Sequence, residues 1–253
     1  MTFDVDPDAY TRFMGRFSEP LAREFAALLD LHEGDRALDV GCGTGALTAV
    51  LSEVLGASSV SAIDPSEQFV ASVRSRFAGV DTRVGSAETL PFEADEFDAC
   101  VAQLVVQFMD DPVQGLREMA RVTRPGGVVA ANVWDFADGS GPLAPFGAAR
   151  RSLDPNVPGG RPGSARGDLA DLFRRAGLVD IREPVVTVEV EFASFEEWWE
   201  PFTFGVGPVG EYVSSLTTAG VAALRRACAE RLPSAPFVTA ASAWVAMGAV
   251  PGE

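Results

Sequence analysis

The stretch that decides the fold reads Ala-Leu-Asp-Val-Gly-Cys-Gly-Thr-Gly and covers residues 37–45. It consists of an apolar strand that ends at Val40 and a glycine-rich turn, and an amphipathic helix pattern begins directly after Gly45. Glycines between a strand and a helix allow backbone N–H groups to approach a nucleotide-like ligand, because they lack a side chain and tolerate positive φ. The stretch therefore predicts the ligand-binding turn of an α/β sheet.

Two nucleotide cofactors compete for this turn. A dinucleotide fingerprint has the spacing G-x-G-x-x-G, whereas this turn runs G-x-G-x-G with Asp39 two positions before its first glycine. A pyrophosphate favours bare amides with no carboxylate nearby, whereas a sulfonium and an α-ammonium tolerate or prefer one. Asp39 therefore favours S-adenosylmethionine, and NAD is the alternative.

The residues that follow the turn alternate between helix and strand patterns. Such β-α-β order implies parallel strands. The first predicted strand ends at Val40. The next four cover Val60–Ile63, Thr82–Val84, Phe97–Gln103 and Val128–Trp134.

The two ends of the chain add elements to this sheet. Leu21, Phe25 and their neighbours lie on one face of a first helix, for which Ser18 is a candidate cap. Residues 135–163 are rich in Gly and Pro and predict either a lid or a surface loop. Val186–Phe192 alternates like a half-exposed strand, and Ser194 with Glu197 forms a capping box that starts an inserted helical segment.

These patterns predict one α/β domain with a Rossmann-like three-layer sandwich. Its sheet is expected to have seven strands, mostly parallel with the last one antiparallel. The predicted segments are an N-terminal arm and helix (1–35), a cofactor-binding half (36–134), a loop or lid (135–163), completion of the sheet (164–193), a helical lid (194–236), and the last strand and tail (237–253).

Asp64 ends the second strand about twenty residues after the turn. A carboxylate at that position accepts hydrogen bonds from both ribose hydroxyls of a bound nucleoside. The competing interpretation is a helix cap before Pro65.

The chain resembles the class I S-adenosylmethionine-dependent methyltransferases of the type 11 group, which includes small-molecule and ubiquinone/menaquinone-pathway enzymes. The resemblance covers residues 10–134. Besides the turn and Asp64, it rests on Gly85–Phe92, which is similar to G-D-A-E-x-L-P-F, on Phe97-Asp98 before a strand, and on Arg124–Gly127 before the fifth strand.

The resemblance implies roles for several side chains. Ser86 stands where the family has an Asp that binds the adenine amino group, and Gln103 matches a position beside the methionine portion. Gln107 lies where the family often has a His, so the catalytic residue is unknown and Gln103 and Gln107 are weak candidates. Tyr10 and Arg16 match an arm that covers the cofactor. The predicted cofactor-binding residues are Asp39, Gly41, Cys42, Gly43, Gly45, Asp64, Pro65, Ser86, Ala87, Glu88, Gln103, Tyr10 and Arg16.

Composition limits the partners of the protein. The net charge of −16, with 36 acidic and 20 basic residues, opposes binding to nucleic acid or to an anionic membrane surface. The three cysteines form no C-x-x-C pair, so we expect no zinc site and a cytoplasmic protein. We expect a monomer or homodimer with no metal.

The sequence thus predicts in-line methyl transfer from S-adenosylmethionine to a small, hydrophobic or aromatic metabolite, with S-adenosylhomocysteine as the second product. The alternative is a cofactor-binding protein of the same fold that catalyses another step, such as cyclisation. Trp198 and Trp199 either line the acceptor pocket or anchor the inserted helices.

Overall fold

A computed structural model describes residues 11–137, 139–154 and 165–252. Within these ranges the strands are β1 (Ala37–Val40), β2 (Val60–Asp64), β3 (Asp81–Val84), β4 (Phe97–Gln103), β5 (Thr123–Trp134), β6 (Val179–Arg182), β7 (Val185–Phe192) and β8 (Phe237–Ala249). They form one sheet in the order β3-β2-β1-β4-β5-β8-β6, and β7 also pairs with β8. Strands β1 to β5 are parallel to one another, and β8 is antiparallel to its neighbours. The predicted mostly parallel sheet with a reversed last strand is confirmed.

The sheet has eight strands because β6 and β7 share one edge of β8. Val179 and Arg182 pair with one end of β8, and Val185–Phe192 pairs with the other end. Pro184 lies between the two strands and has no N–H to donate, although its carbonyl accepts from the N–H of Val245 at 3.1 Å. The expected count of seven strands was wrong, since it omitted β6.

Helices cover both faces of the sheet. They are α1 (Arg16–Ala26), α2 (Ala46–Leu55), α3 (Glu67–Arg76), α4 (Pro112–Val122), α5 (Ala144–Leu153), α6 (Asp168–Ala176), α7 (Phe195–Trp199), α8 (Gly207–Ser215) and α9 (Thr218–Ala229). A π-helical turn, Thr11–Gly15, precedes α1, and 3₁₀ turns cover Ala57–Ser59, Val106–Phe108 and Glu200–Thr203. None of these helices is long and apolar enough to cross a bilayer.

Side chains of the central strand β4 separate the two layers of the core. Ala99 and Val101 belong to the apolar cluster under α1, α2 and the inserted helices, whereas Cys100 and Ala102 belong to the cluster under α4 and α6. Successive strand residues point to opposite faces, so a strand that is apolar throughout must be covered on both. The expected three-layer sandwich is confirmed.

One local prediction was wrong: Ser18 is not a helix cap, because α1 begins at Arg16 and encloses it. The Gly/Pro-rich stretch, predicted as a lid or a surface loop, contains α5. The inserted helices begin at Ser194 as predicted: its hydroxyl accepts from the N–H of Glu197 at 3.1 Å.

Candidate cofactor site

A cavity of about 670 Å³ opens at the carboxyl ends of β1, β2 and β4. This edge is where parallel α/β sheets bind ligands, because the turns that leave the strands meet there. The predicted residues that line the cavity are Gly41, Gly43, Asp64, Pro65, Ser86, Ala87, Glu88 and Gln103. The structure therefore brings most of the predicted set together around one space.

The glycine turn packs tightly at two positions and is open at one. Gly41 has φ of +72°, and a Cβ built there would lie 2.4 Å from Cγ2 of Val105. A Cβ on Gly45 would lie 2.8 Å from the ring of Phe77. At Gly43, with φ of +52°, a Cβ would meet no described atom within 4 Å. Side chains are therefore excluded by packing at Gly41 and Gly45, whereas Gly43 leaves backbone open towards the cavity.

Asp64 fixes the turn from the opposite side. One carboxylate oxygen accepts from the N–H of Gly43 at 2.9 Å, and the other accepts from the N–H of Ser66 at 2.8 Å. The cap of α3 is Ser66, whose hydroxyl accepts from Phe69. A carboxylate has about four acceptor positions, so Asp64 keeps capacity for ribose hydroxyls.

Asp39 lies beneath the turn and outside the cavity lining. It is 1% exposed, and its carboxylate accepts from the Thr48 hydroxyl at 2.6 Å. Burial raises the pKa of Asp39 to about 7, against the lowering effect of the Thr48 hydrogen bond, and the nearby charge of Asp64 raises it further. Burial also raises the pKa of Asp64. Two carboxyl groups that resist ionisation thus lie directly behind the turn.

Glu88 organises the far end of the cavity. Its carboxylate accepts from the Ser86 hydroxyl and from the N–H of Asp110 at 2.9 Å. Burial alone would raise the pKa of Glu88, but these hydrogen bonds and those from neighbouring backbone N–H groups lower it. Ser86, where the family has an Asp, is therefore held beside a carboxylate that remains ionised.

Gln103 reaches the cavity from the end of β4. Its Nε2 donates to the carbonyl of Ser18 at 3.0 Å, whereas its Oε1 is buried and has no partner among the described residues. Gln107 does not line the cavity, because its Nε2 turns back to the carbonyl of Leu104 at 2.9 Å. Of the two weak catalytic candidates, Gln103 alone lies at the site.

Arg16 lies away from the cavity. It donates to Glu197 at 2.8 Å and to the carbonyl of Glu191 at 2.7 Å, and its guanidinium stacks over the ring of Phe192. These contacts attach α1 to the inserted helices. Cys42 and Gly45 do not line the cavity either, and Tyr10 lies outside the described residues.

Trp198 and Trp199 are buried in the core. Both contact Phe202, with ring centroids 4.6 and 6.0 Å apart, and they are 2% and 6% exposed. Their packing supports the interpretation that they anchor the inserted helices. Trp198 also borders a second small apolar cavity that Phe17 and Arg16 share.

Sequence reasoning missed part of the cavity wall. Gln68 and Phe69 at the start of α3, and Phe108, Met109 and Asp110 after β4, also line it. Their position directly after carboxyl ends of parallel strands was the available signal. In the described ranges, no group of His, Cys, Asp and Glu side chains is arranged to hold a metal ion.

These residues fit S-adenosylmethionine. Asp64 suits the ribose, and the bare backbone at Gly43 permits close approach. The two acidic residues at the turn, Asp39 and Asp64, suit a cationic ligand better than a pyrophosphate.

Comparison with known proteins agrees with this site. A family described as "Methyltransferase domain", type 11, matches residues 38–131. A relative, malonyl-[acyl-carrier protein] O-methyltransferase of Pectobacterium atrosepticum, is 34% identical over 145 residues, which are 57% of this chain and 54% of the relative. The chain thus spans about half the length of that relative.

Solved structures share the fold at low identity. A candidate methyltransferase of Bacillus halodurans C-125 has a TM-score of 0.61 at 16% identity, covering 91% of this chain and 99% of its own. Another candidate methyltransferase, solved with the Trm112 methyltransferase activator of Haloferax volcanii, has a TM-score of 0.58 at 18% identity. The match covers 98% of both chains. The [4+2]-cyclase SpnF has a TM-score of 0.56 at 20% identity, and the match covers 92% of this chain and 81% of SpnF.

The match runs from Leu38 to Ala131 and covers most of β1 to β5, the glycine turn and the walls of the first cavity. Residues 38–131 of this chain therefore match the type 11 methyltransferase-domain family, on a class I, Rossmann-like fold.

Proposed function

We propose that the protein is an S-adenosylmethionine-dependent methyltransferase that acts on a small, hydrophobic or aromatic metabolite. The observation that carries this proposal is the contact between Asp64 and the N–H of Gly43 at 2.9 Å, at the mouth of a cavity that extends to Gln103. It joins the ribose carboxylate and the glycine turn into one binding surface. The family of residues 38–131 supports the same conclusion.

The chemistry follows from alignment. When bound, S-adenosylmethionine supplies a methyl group that its sulfonium has already activated. Asp64 would hold the ribose, Ala87 and Ser86 would flank the base, and Gln103 would line the other end of the cavity. Holding two reactants in line is worth roughly 7–11 kcal/mol of barrier, so no general base is required from the chain.

The acceptor would lie between the carboxyl edge of the sheet and the segments that cover it. The rings of Phe17, Phe192, Trp198 and Phe202 surround the small second cavity beside the start of α1. This cavity measures only about 10 Å³, so the rings would have to move apart before an aromatic or apolar acceptor could contact them. The relative named above is a malonyl-[acyl-carrier protein] O-methyltransferase, so an acyl group is a second form of acceptor to test.

Isothermal titration calorimetry with S-adenosylhomocysteine tests the cofactor assignment. We expect one site per chain and affinity lost in Asp64→Ala. A panel of phenols, quinols and fatty acyl acceptors incubated with methyl-labelled S-adenosylmethionine then tests transfer. Well-folded protein that does not bind S-adenosylhomocysteine would refute the proposal.

A second candidate is a non-methylation step such as cyclisation. The cyclase SpnF shares the fold, which shows that this architecture hosts such chemistry, but that likeness shows the fold alone. The two candidates differ in product mass, because only methylation adds a methyl group. Binding of S-adenosylhomocysteine with turnover at unchanged substrate mass would favour the second candidate.

We also propose that the protein acts as a monomer or homodimer, without nucleic acid or membrane. The net charge of −16 supports this, since it repels both anionic surfaces. The Haloferax neighbour was solved with an activator protein, so a protein partner is the competing expectation. Light scattering on pure protein that binds S-adenosylhomocysteine unaided would support the proposal, whereas a requirement for an added protein would contradict it.

A further inference from the structure

The turn that leaves β4 contains a residue in an unfavourable conformation. Leu104 has φ of +63°, in the left-handed region that side chains other than Gly, Asn and Asp rarely adopt. The other non-glycine residues with positive φ in the described ranges, Asp30, Asp95 and Asp180, are aspartates. Backbone of this kind persists only where its surroundings impose it.

Asn132 on β5 imposes it. The N–H of Leu104 donates to the backbone carbonyl of Asn132 at 3.0 Å and to its side-chain Oδ1 at 3.2 Å. From the other side, Nε2 of Gln107 donates to the carbonyl of Leu104 at 2.9 Å. Both polar groups of the Leu104 backbone are thus held by side-chain amides.

The Asn132 side chain has no other described role. It is fully buried, it lies opposite Gln103 in the β4–β5 register, and its Nδ2 has no partner among the described residues. A buried amide that is only half satisfied destabilises a core compared with an apolar side chain. Its one hydrogen bond, to Leu104, therefore accounts for an asparagine at this position.

The held turn forms one wall of the cofactor cavity. Gln103, Leu104 and Val105 all line it. Val105 also occupies the space beside Gly41, where a Cβ would lie 2.4 Å from its Cγ2. If Leu104 relaxed to negative φ, the chain direction would change between Gln103 and Val105, and both the wall and its contact with the glycine turn would move.

We propose that Asn132 is a positioning residue for the cofactor site, which acts by holding Leu104 at positive φ. It touches neither cofactor nor acceptor. The inference rests on the proposed function only in using S-adenosylhomocysteine as the ligand of the cavity.

The first test compares Asn132→Leu with Thr123→Val. Thr123 lies on the same strand and is equally buried, and its hydroxyl donates to the carbonyl of Met119 at 2.7 Å, away from the cavity. Both variants lose one buried hydrogen bond. In Asn132→Leu the loss of the unpartnered Nδ2 offsets that cost, so the comparison rests on affinity and not on the unfolding temperature. Calorimetry should show S-adenosylhomocysteine affinity about tenfold weaker in Asn132→Leu and unchanged in Thr123→Val.

The second test adds Leu104→Gly to Asn132→Leu. Glycine adopts positive φ without strain, so the turn no longer needs the asparagine. The affinity of the double variant should be less than about twofold weaker than that of Leu104→Gly alone. The effect of Asn132→Leu would then depend on the residue at position 104, which two independent residues would not show. If Asn132→Leu does not fold, the double variant should still fold and bind as Leu104→Gly does.

Three results would overturn the inference. They are wild-type affinity in Asn132→Leu, an equal loss of affinity with and without Leu104→Gly, and failure of the double variant to fold when Leu104→Gly folds. A wild-type protein that does not bind S-adenosylhomocysteine would instead refute the proposed function. The two failures are therefore distinguishable.

Discussion

Raising the pH from 5 to 8 should destabilise the ligand-free protein, and Asp39→Asn should remove most of that loss. Asp39 has a pKa of about 7 in the folded protein against 3.8 in the unfolded chain. Between these values the folded state keeps a proton that the unfolded state has released. Stability must therefore fall as the pH rises through this window, and it should level off above pH 7.

The magnitude follows from the width of the window. Each pH unit between the two pKa values costs about 1.4 kcal/mol of unfolding free energy. The full difference from 3.8 to about 7 corresponds to about 4 kcal/mol, and the part above pH 5 to about 3 kcal/mol. Glu88, Asp98 and Glu118 have lowered pKa values, so their contributions are lost on acidification at lower pH and do not mask the effect.

Urea unfolding followed by tryptophan fluorescence at pH 5, 6, 7 and 8 measures the effect. The difference in unfolding free energy between Asp39→Asn and wild type should grow in favour of the variant up to pH 7. Asp180→Asn, a change at an exposed position, should keep the wild-type pH dependence. If the Asp39→Asn and wild-type curves run parallel from pH 5 to 8, the assignment of a buried, protonated Asp39 is wrong.

Three further results are expected. Gly43→Val should weaken S-adenosylhomocysteine binding at least about tenfold, because the valine side chain would enter the cavity. Gly56→Val, also at positive φ but outside the cavity, should lower the stability of the protein and leave the affinity measured by calorimetry unchanged. Arg16→Gln should lower stability by about 0.2–1 kcal/mol, as for a partly exposed ion pair with Glu197, and should leave affinity unchanged; a tenfold loss would restore the predicted role of Arg16 at the cofactor. Iodoacetamide at pH 8 should label none of the three cysteines in native protein, because burial raises the pKa of each thiol. In urea it should label all three. Rapid labelling of the native protein, detected by mass spectrometry, would contradict their burial.

The parallel half of the sheet was predictable because its inner strands β1, β2 and β4 are buried along almost their whole length and are separated by periodic helices. Two elements were not. Helix α5 has a proline at its second position, contains Gly147 and buries only Phe146 and Ala149, so its pattern is faint. Strand β6 is four residues long and largely exposed, and it exists through pairing with β8 rather than through any alternation of its own.

The cofactor site also has a part that the sequence predicts and a part that it does not. The glycines and Asp64 could be identified because a turn, a strand and a carboxylate at fixed spacing constrain each other locally. The pairing of Leu104 with Asn132 joins positions 28 residues apart and depends on the β4–β5 register, which no local pattern contains. Arg16 was assigned to the cofactor from an arm motif, but ionic and aromatic contacts with the inserted helices decide where its side chain lies.

The charges behind the glycine turn also sharpen the choice between cofactors. From sequence, Asp39 was a single carboxylate near a ligand. In the structure it is buried near Asp64, whose charge opposes its ionisation, and burial raises the pKa of both groups. A pyrophosphate would add negative charge to this pair, whereas a sulfonium and an ammonium would relieve it. Binding of a cation should therefore lower the free-energy cost of ionising Asp39. The cost that destabilises the ligand-free protein at pH 8 would then favour binding of a positively charged cofactor.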